Sequence, residues 1–170
     1  MDLSVLVEHW RLDGTPFAEG ATDIVKCFDQ IDRDLLLVIA EIAGMPTKTL
    51  EAYRAFMAKL RIHNTVAGGI GAPYARECGI PQGCPLSMLM VALLLRPWIH
   101  KVKALGAIPK VLADDILVAA AGQQCVTNLS KALVCTHEYM EDIGAKISIK
   151  KSFNFASTSR PVKGSCRSGG

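Results

Sequence analysis

Hydrophobic and polar positions alternate along this chain in two rhythms. The run "RDLLLVIAEIA" at 33–43 is apolar almost all round and predicts a buried helix. Asp32 stands at its N-cap position, and Gly44 and Pro46 end it. Over 47–61, Leu50, Tyr53, Met57 and Leu60 recur at helical spacing and predict a second helix, with Arg54, Lys59 and Arg61 off the stripe. Apolar stretches predict two longer helices, at about 85–103 and about 123–142, the latter stopped near Gly144. Strand-like runs occupy 21–28 ("ATDIVKCF"), both arms of a turn within 109–120, and 146–149, where "AKISI" alternates. Short strands around a Gly-rich turn in "HNTVAGGIGAPYAREC" predict a hairpin. Residues 1–17 are weakly patterned and read as a lead-in with a turn-like "LDGTP". From 156 to 170 Ser, Gly, Arg and Lys dominate, and this tail is expected to be disordered.

The resulting order is strand, helix, strand-turn-strand, helix, strand, with a two-helix-plus-hairpin insertion at about 45–80. That is a split βαβ pattern: an α+β, ferredoxin-like antiparallel sheet with helices on one face. It spans 18–155 as one domain, which suits a chain of 170 residues. Half of the residues are hydrophobic and 21% are charged, which excludes a disordered chain. The net charge of +3 permits a nucleic-acid partner without arguing for one. Six cysteines are scattered without a C-x-x-C pair, as expected of buried reduced thiols in an intracellular protein. No signal peptide is visible, and the longest apolar run, Leu86 to Leu95, is too short to span a bilayer.

The candidate chemistry begins at "LADDILV", where Asp114 and Asp115 interrupt an apolar run. Two aspartates between short strands suit an ordinary hairpin turn. Asp23, however, sits inside another strand-like run, where Asp is depleted. If the two strands are neighbours, three carboxylates meet, and each like pair at about 4 Å costs roughly 4 kcal/mol at an effective dielectric near 20. Cations make such a cluster tolerable, and hard oxygen ligands without His or Cys point to Mg²⁺ or Mn²⁺. Two ions held this way suit in-line displacement at phosphorus. "GIPQGCPLS" at 79–87 offers glycines for close backbone approach to a ligand, or is an ordinary loop before a helix. In "EDIGAKISIKKSF", Lys150 and Lys151 are either solvated or placed to neutralise a triphosphate.

Taken together and in order, these stretches resemble the reverse transcriptase domain, on the non-LTR retroelement and group II intron branch, from about residue 18 to 155. "TDIVKCFDQIDRDLL" resembles its first carboxylate motif, "GIPQGCPLS" its Pro-Gln-Gly motif, "LADDILV" its Ala-Asp-Asp hairpin, and "GAKISIKKS" its lysine motif. The resemblance implies a polymerase palm with partial fingers, binding two Mg²⁺ (or Mn²⁺) ions through Asp23, Asp114 and Asp115. It implies that Phe28 is a steric gate against the ribose 2′-OH, that Gln82 and Gly83 contact the incoming nucleotide, and that Lys151 is the motif lysine. Asp29 would be a structural hydrogen-bond partner. The implied reaction joins a dNTP to a primer 3′-OH on an RNA template, the primer being DNA or RNA. Lys48, Arg54, Lys59, Arg61 and Arg76 either contact template-primer phosphates or are ordinary solvated charges.

The chain departs from the family's pattern at Leu112, where an aromatic is usual, and at Ser148, where Asn is usual. Only 22 residues precede Asp23, and no helical thumb pattern follows residue 155, so basic fingers and a thumb are expected to be missing. Processive synthesis by residues 1–170 alone is therefore not expected. The competing reading is a non-catalytic retroelement remnant or nucleic-acid-binding module. A retroelement's chromosomal targets would make nuclear residence compatible, although no localisation signal stands out.

Overall fold

The computed structural model describes residues 3–81, 83–112 and 115–157. Helix α1 (Leu3–Leu12) leads into strand β1 (Phe17–Asp23), a short helix α2 (Cys27–Gln30), then α3 (Arg33–Ile42) and α4 (Thr47–Lys59). A small hairpin, β2 (Thr65–Val66) and β3 (Gly69–Ile70), precedes the long helix α5 (Ser87–Ala104). Strands β4 (Ile108–Leu112) and β5 (Asp115–Ala121), helix α6 (Cys125–Asp142) and strand β6 (Phe153–Ala156) complete the order.

The four longer strands form one antiparallel sheet in the order β4-β5-β1-β6. Alternation along each strand assigns its two faces. Ala18, Ile116, Val118 and Ala120 point into the main core with Met90, Leu94, Trp98, Leu129 and Met140 from α5 and α6. The β1 side of that face is built of small residues so that α6 can approach. A Cβ added at Gly20 would lie 3.0 Å from the Leu133 side chain. The buried positions of α5 fall at 90, 94 and 98 and at 91 and 95, the spacing of an inward stripe. Two buried polar contacts fasten α6 to α5: the Trp98 indole N–H donates to Thr136 Oγ1 at 3.0 Å, and the Tyr139 hydroxyl donates to the Leu94 carbonyl.

The split βαβ sheet and its helix layer agree with the sequence reading, as do the helices at 33–42, 47–59, 87–104 and 125–142. Asp32 caps α3, accepting from the Leu35 amide at 2.8 Å. Four expectations need correction. The lead-in carries α1, whose Leu3, Leu6, Val7 and Trp10 pack on the opposite sheet face against Phe17, Ile108 and Ala119. The strand expected at 21–28 runs instead from Phe17 to Asp23, because Lys26 takes a left-handed backbone (φ 48°) and turns the chain into α2. The strand expected at 146–149 is a single bridge, Ile24 to Ile147, and the ladder proper is β6. Ala156 belongs to β6, and Ser157 bonds both ways with the Phe17 backbone, so the tail expected to be disordered begins no earlier than 158; residues 158–170 lie outside the described residues.

Among the described residues Cys27, Cys78, Cys84, Cys125 and Cys135 form no disulfide; Cys27 and Cys125 are buried, but Cys78 is exposed. Among the described residues no helix is long and apolar enough to cross a membrane.

Candidate active site

The sheet face turned away from α5 and α6 carries Phe17, Glu19, Ala21 and Asp23 from β1 and Asp115, Leu117, Ala119 and Ala121 from β5. Helix α1 covers one end of it, over Phe17 and Ala119. The other end is open, and there Asp23 and Asp115 are direct cross-strand partners. Directly opposed residues in an antiparallel ladder bring their Cβ atoms to within about 4.5–5.5 Å, and like charges so placed repel. Local propensity would not choose this pairing. The register imposes it, because slipping β1 by one residue would put Ala18 and Ile24 on the open face.

Asp23 is held from behind by the lysine motif. Its carbonyl accepts from the Ser148 amide at 2.9 Å, and its amide donates to Ser152 Oγ at 3.3 Å. Ser152 Oγ in turn donates to the Ser148 carbonyl at 2.8 Å, closing a turn over 148–152. Lys151 stands on that turn with its Nζ 3.7 Å from Asp23 Oδ2. Lys151 is largely exposed, so this pair is worth no more than about 1 kcal/mol to folding and offsets only part of the repulsion. Ser148, where the resembled motif has Asn, thus serves through its backbone.

The carboxylate oxygens of Asp23 and Asp115 are hard donors facing one open space, a set that fits Mg²⁺ or Mn²⁺. Asp114 lies outside the described residues. Among the described residues no three His, Cys, Asp or Glu converge as a cation-binding group. Leu112 pairs with Asp115 across β4 and β5 and is 75% exposed, so the position that departs from the family's aromatic is a solvent-facing neighbour of the carboxylates.

The remaining candidates gather around α2. Phe28 is half-buried on α2 and packs against the main core. Its carbonyl accepts from the Ile80 amide at 2.6 Å, which fastens the start of the 79–87 segment to the Phe28 backbone. Gly79 permits this contact: φ is +86°, and an added Cβ would lie 2.8 Å from the Phe28 carbonyl oxygen. Gly83 also has a positive φ, +83°, with open space where a side chain would go. Gln82 lies outside the described residues.

Of the five basic residues proposed for phosphates, two have partners among the described residues. Arg76 binds Asp29 at 2.5 Å, and that hydrogen bond and charge raise the Arg76 pKa. Arg61 turns back on the Ala58 and Leu60 carbonyls at the end of α4. Lys48, Arg54 and Lys59 are exposed. Asp29 is the structural partner that its place in the motif implied.

Two residues of this neighbourhood were not singled out in the sequence. Arg33 binds three backbone carbonyls, Gly79 and Arg76 at the start of the Pro-Gln-Gly segment and Met57 near the end of α4, and "IDRD" gives no signal for it beyond a charge at a helix start. Glu19 shares the face of Asp23; burial raises its pKa, and its Oε1 has no hydrogen-bond partner among the described residues.

Comparison with known proteins places this arrangement. The chain is 23% identical over 158 residues to a transposon TX1 uncharacterized 149 kDa protein of Xenopus laevis, a match covering 86% of this chain and 12% of that one. The chain thus spans about an eighth of that relative's length. Among solved structures it is similar to apo telomerase of Candida tropicalis truncated from its C-terminal domain, with TM-score 0.68, 15% identity, and coverage of 94% of this chain and 34% of that one. It is also similar to Candida albicans telomerase in complex with a fragment of telomeric RNA, with TM-score 0.65, 16% identity, and coverage of 94% and 30%. At these identities the structures establish a common fold. Residues 21–163 match the family described as reverse transcriptase (RNA-dependent DNA polymerase), and with the opposed aspartates, the lysine turn and the palm-like sheet in place, the chain belongs to the reverse transcriptase family.

Proposed function

We propose that this chain is the catalytic palm of a retroelement's RNA-directed DNA polymerase. The observation that carries the reading is the opposition of Asp23 and Asp115 at the open end of the sheet, with Lys151 against Asp23. A folding domain gains nothing from two opposed carboxylates there, whereas a site for divalent cations and a triphosphate requires them.

Asp23, Asp114 and Asp115 would hold two Mg²⁺ (or Mn²⁺) ions. When bound, the ions neutralise the carboxylates and polarise the primer 3′-OH and the α-phosphate. Lys151 carries a positive charge to the same edge, suited to the pyrophosphate leaving group. Phe28 would be the gate against a ribose 2′-OH, and the resemblance gives Gln82 and Gly83 the contact with the incoming nucleotide. The open sheet face beside the aspartates bears exposed Leu112, Leu117 and Phe153, an apolar bed on which sugars and bases of a template-primer can rest. The partners are an RNA template, a DNA or RNA primer and dNTPs. The transposon relative and the telomerase neighbours, one of them solved with telomeric RNA, support this assignment by similarity. Action on chromosomal targets gives the reading a nuclear setting.

The test is single-nucleotide incorporation onto a labelled DNA primer annealed to an RNA template, in Mg²⁺, with dNTP or rNTP. Template-matched incorporation of dNTP that is lost in Asp23→Asn and Asp114→Asn supports the reading. Incorporation that is indifferent to those substitutions, or that prefers rNTP, refutes it.

A further inference from the structure

We propose that Arg33 is a positioning residue for the incoming nucleotide, locking the Pro-Gln-Gly segment to the Phe28 gate so that the two move as one body; this rests on the reverse transcriptase reading above. The Arg33 guanidinium lies half-buried at the start of α3 and makes no carboxylate pair among the described residues. Instead its Nε donates to the Gly79 carbonyl at 2.9 Å, and its Nη1 donates to the Arg76 carbonyl at 2.5 Å and the Met57 carbonyl at 3.4 Å. These carbonyls come from the end of α4 and from a stretch without regular secondary structure, whose acceptors have no ladder to satisfy them.

The same short piece of chain that carries Arg33 grips the loop at further points. The Gly79 amide donates to the Ile31 carbonyl at 2.7 Å, the Ile80 amide donates to the Phe28 carbonyl, and the Asp29 carboxylate takes the Arg76 guanidinium. Beyond the loop, Cys84 Sγ contacts the Tyr53 hydroxyl of α4 at 3.9 Å. Segment 28–33 therefore sets where residues 76–80, the start of the Pro-Gln-Gly segment, lie. Gate and nucleotide loop are registered against each other through one planar fork. A lysine has three donors but all on one nitrogen, and it lacks the planar fork that sets Nε on Gly79 while Nη1 reaches Arg76 and Met57.

The experiment compares the purified 170-residue chain with Arg33→Lys, and with Trp98→Phe as a variant that weakens the core far from the loop. Amide hydrogen exchange is read at Gly79 and Ile80, and binding of dATP and of ATP is read in Mn²⁺. Arg33→Lys is expected to speed exchange at those two amides by about tenfold while the β5 amides stay protected. It is also expected to weaken dATP binding and to reduce the preference for dATP over ATP. Trp98→Phe should leave that preference unchanged. Unaltered exchange at Gly79 and Ile80 overturns the lock itself, whatever the chain binds. Faster exchange with an unaltered dATP preference overturns the coupling to the gate. A wild-type chain that binds neither nucleotide overturns the functional reading on which the inference stands.

Discussion

Replacing Gly79 with alanine should be among the most damaging small substitutions in this protein, and the structure sets its size. Two glycines share nearly the same backbone conformation, Gly44 at φ +88° and Gly79 at φ +86°. An L-residue in that left-handed region costs about 1–2 kcal/mol in either place. At Gly44 an added Cβ meets nothing within 4 Å, so Gly44→Ala should cost only that. At Gly79 the Cβ would stand 2.8 Å from the Phe28 carbonyl oxygen, 2.9 Å from that of Asp29 and 3.0 Å from the Asp29 Cα. All three are backbone atoms and cannot swing aside. The loop must move away, and the bonds from the Gly79 and Ile80 amides to Ile31 and Phe28 are strained or lost, at about 1 kcal/mol each. Gly79→Ala should therefore cost about 3–4 kcal/mol, roughly 2 kcal/mol more than Gly44→Ala. Urea unfolding of the two variants beside the wild type measures the difference from their midpoints at common slope. Equal losses would refute the reasoning, because the shared φ would then be the whole effect and the contact with Phe28 would carry no weight.

Glu19 gives a pH prediction. Burial raises its folded-state pKa above the ordinary 4.5, so the native state binds the proton more tightly than the unfolded chain. Stability from this group is therefore greatest in acid and falls as pH rises from about 4.5 through the raised value. Glu19→Gln should raise the urea midpoint at pH 7, and the gain should vanish below about pH 4.5; a gain that persists in acid would contradict it. Thr136→Val removes the acceptor of the buried Trp98 indole N–H and should cost about 1–3 kcal/mol by denaturant unfolding, a loss that a value near zero would refute. Ala67 sits at φ +49° beside Gly68 in the tip of the β2–β3 hairpin, a two-residue turn that favours Asn-Gly. Ala67→Asn should stabilise by about 0.5–1 kcal/mol in thermal unfolding, and destabilisation would show that the tip is shaped otherwise.

The elements best read from sequence were those whose signal is local. The helices at 33–42, 47–59, 87–104 and 125–142 have long apolar stripes and a cap at Asp32, and packing only confirmed them. Helix α1 is hard to see in the sequence because its stripe of Leu3, Leu6, Val7 and Trp10 is only about three turns long. Strand β1 was misplaced because Ala18, Glu19, Gly20 and Ala21 are poor strand formers; the ladder with β5 and the closeness of α6 decide their conformation. Strand β6 was missed because its residues are exposed and short, and its pairing with β1 is non-local. At the site, the aspartates and Lys151 were legible as motifs, since chemistry restricts which residues can stand there. Their register was not, because it depends on which strands become neighbours. Arg33 was illegible for a related reason. Its partners are backbone carbonyls, which every residue has, so no sequence pattern marks them.

The most direct test of the central claim is Mn²⁺ binding by the chain, followed by electron paramagnetic resonance, for the wild type, Asp23→Asn and Asp115→Asn. If the opposed aspartates form the cation site, the wild type binds Mn²⁺ and each variant weakens binding by tenfold or more, about 1.4 kcal/mol, with the fold intact by circular dichroism. Mn²⁺ bound equally by all three proteins, or by none, would contradict the assignment of this sheet end as the site of nucleotidyl transfer.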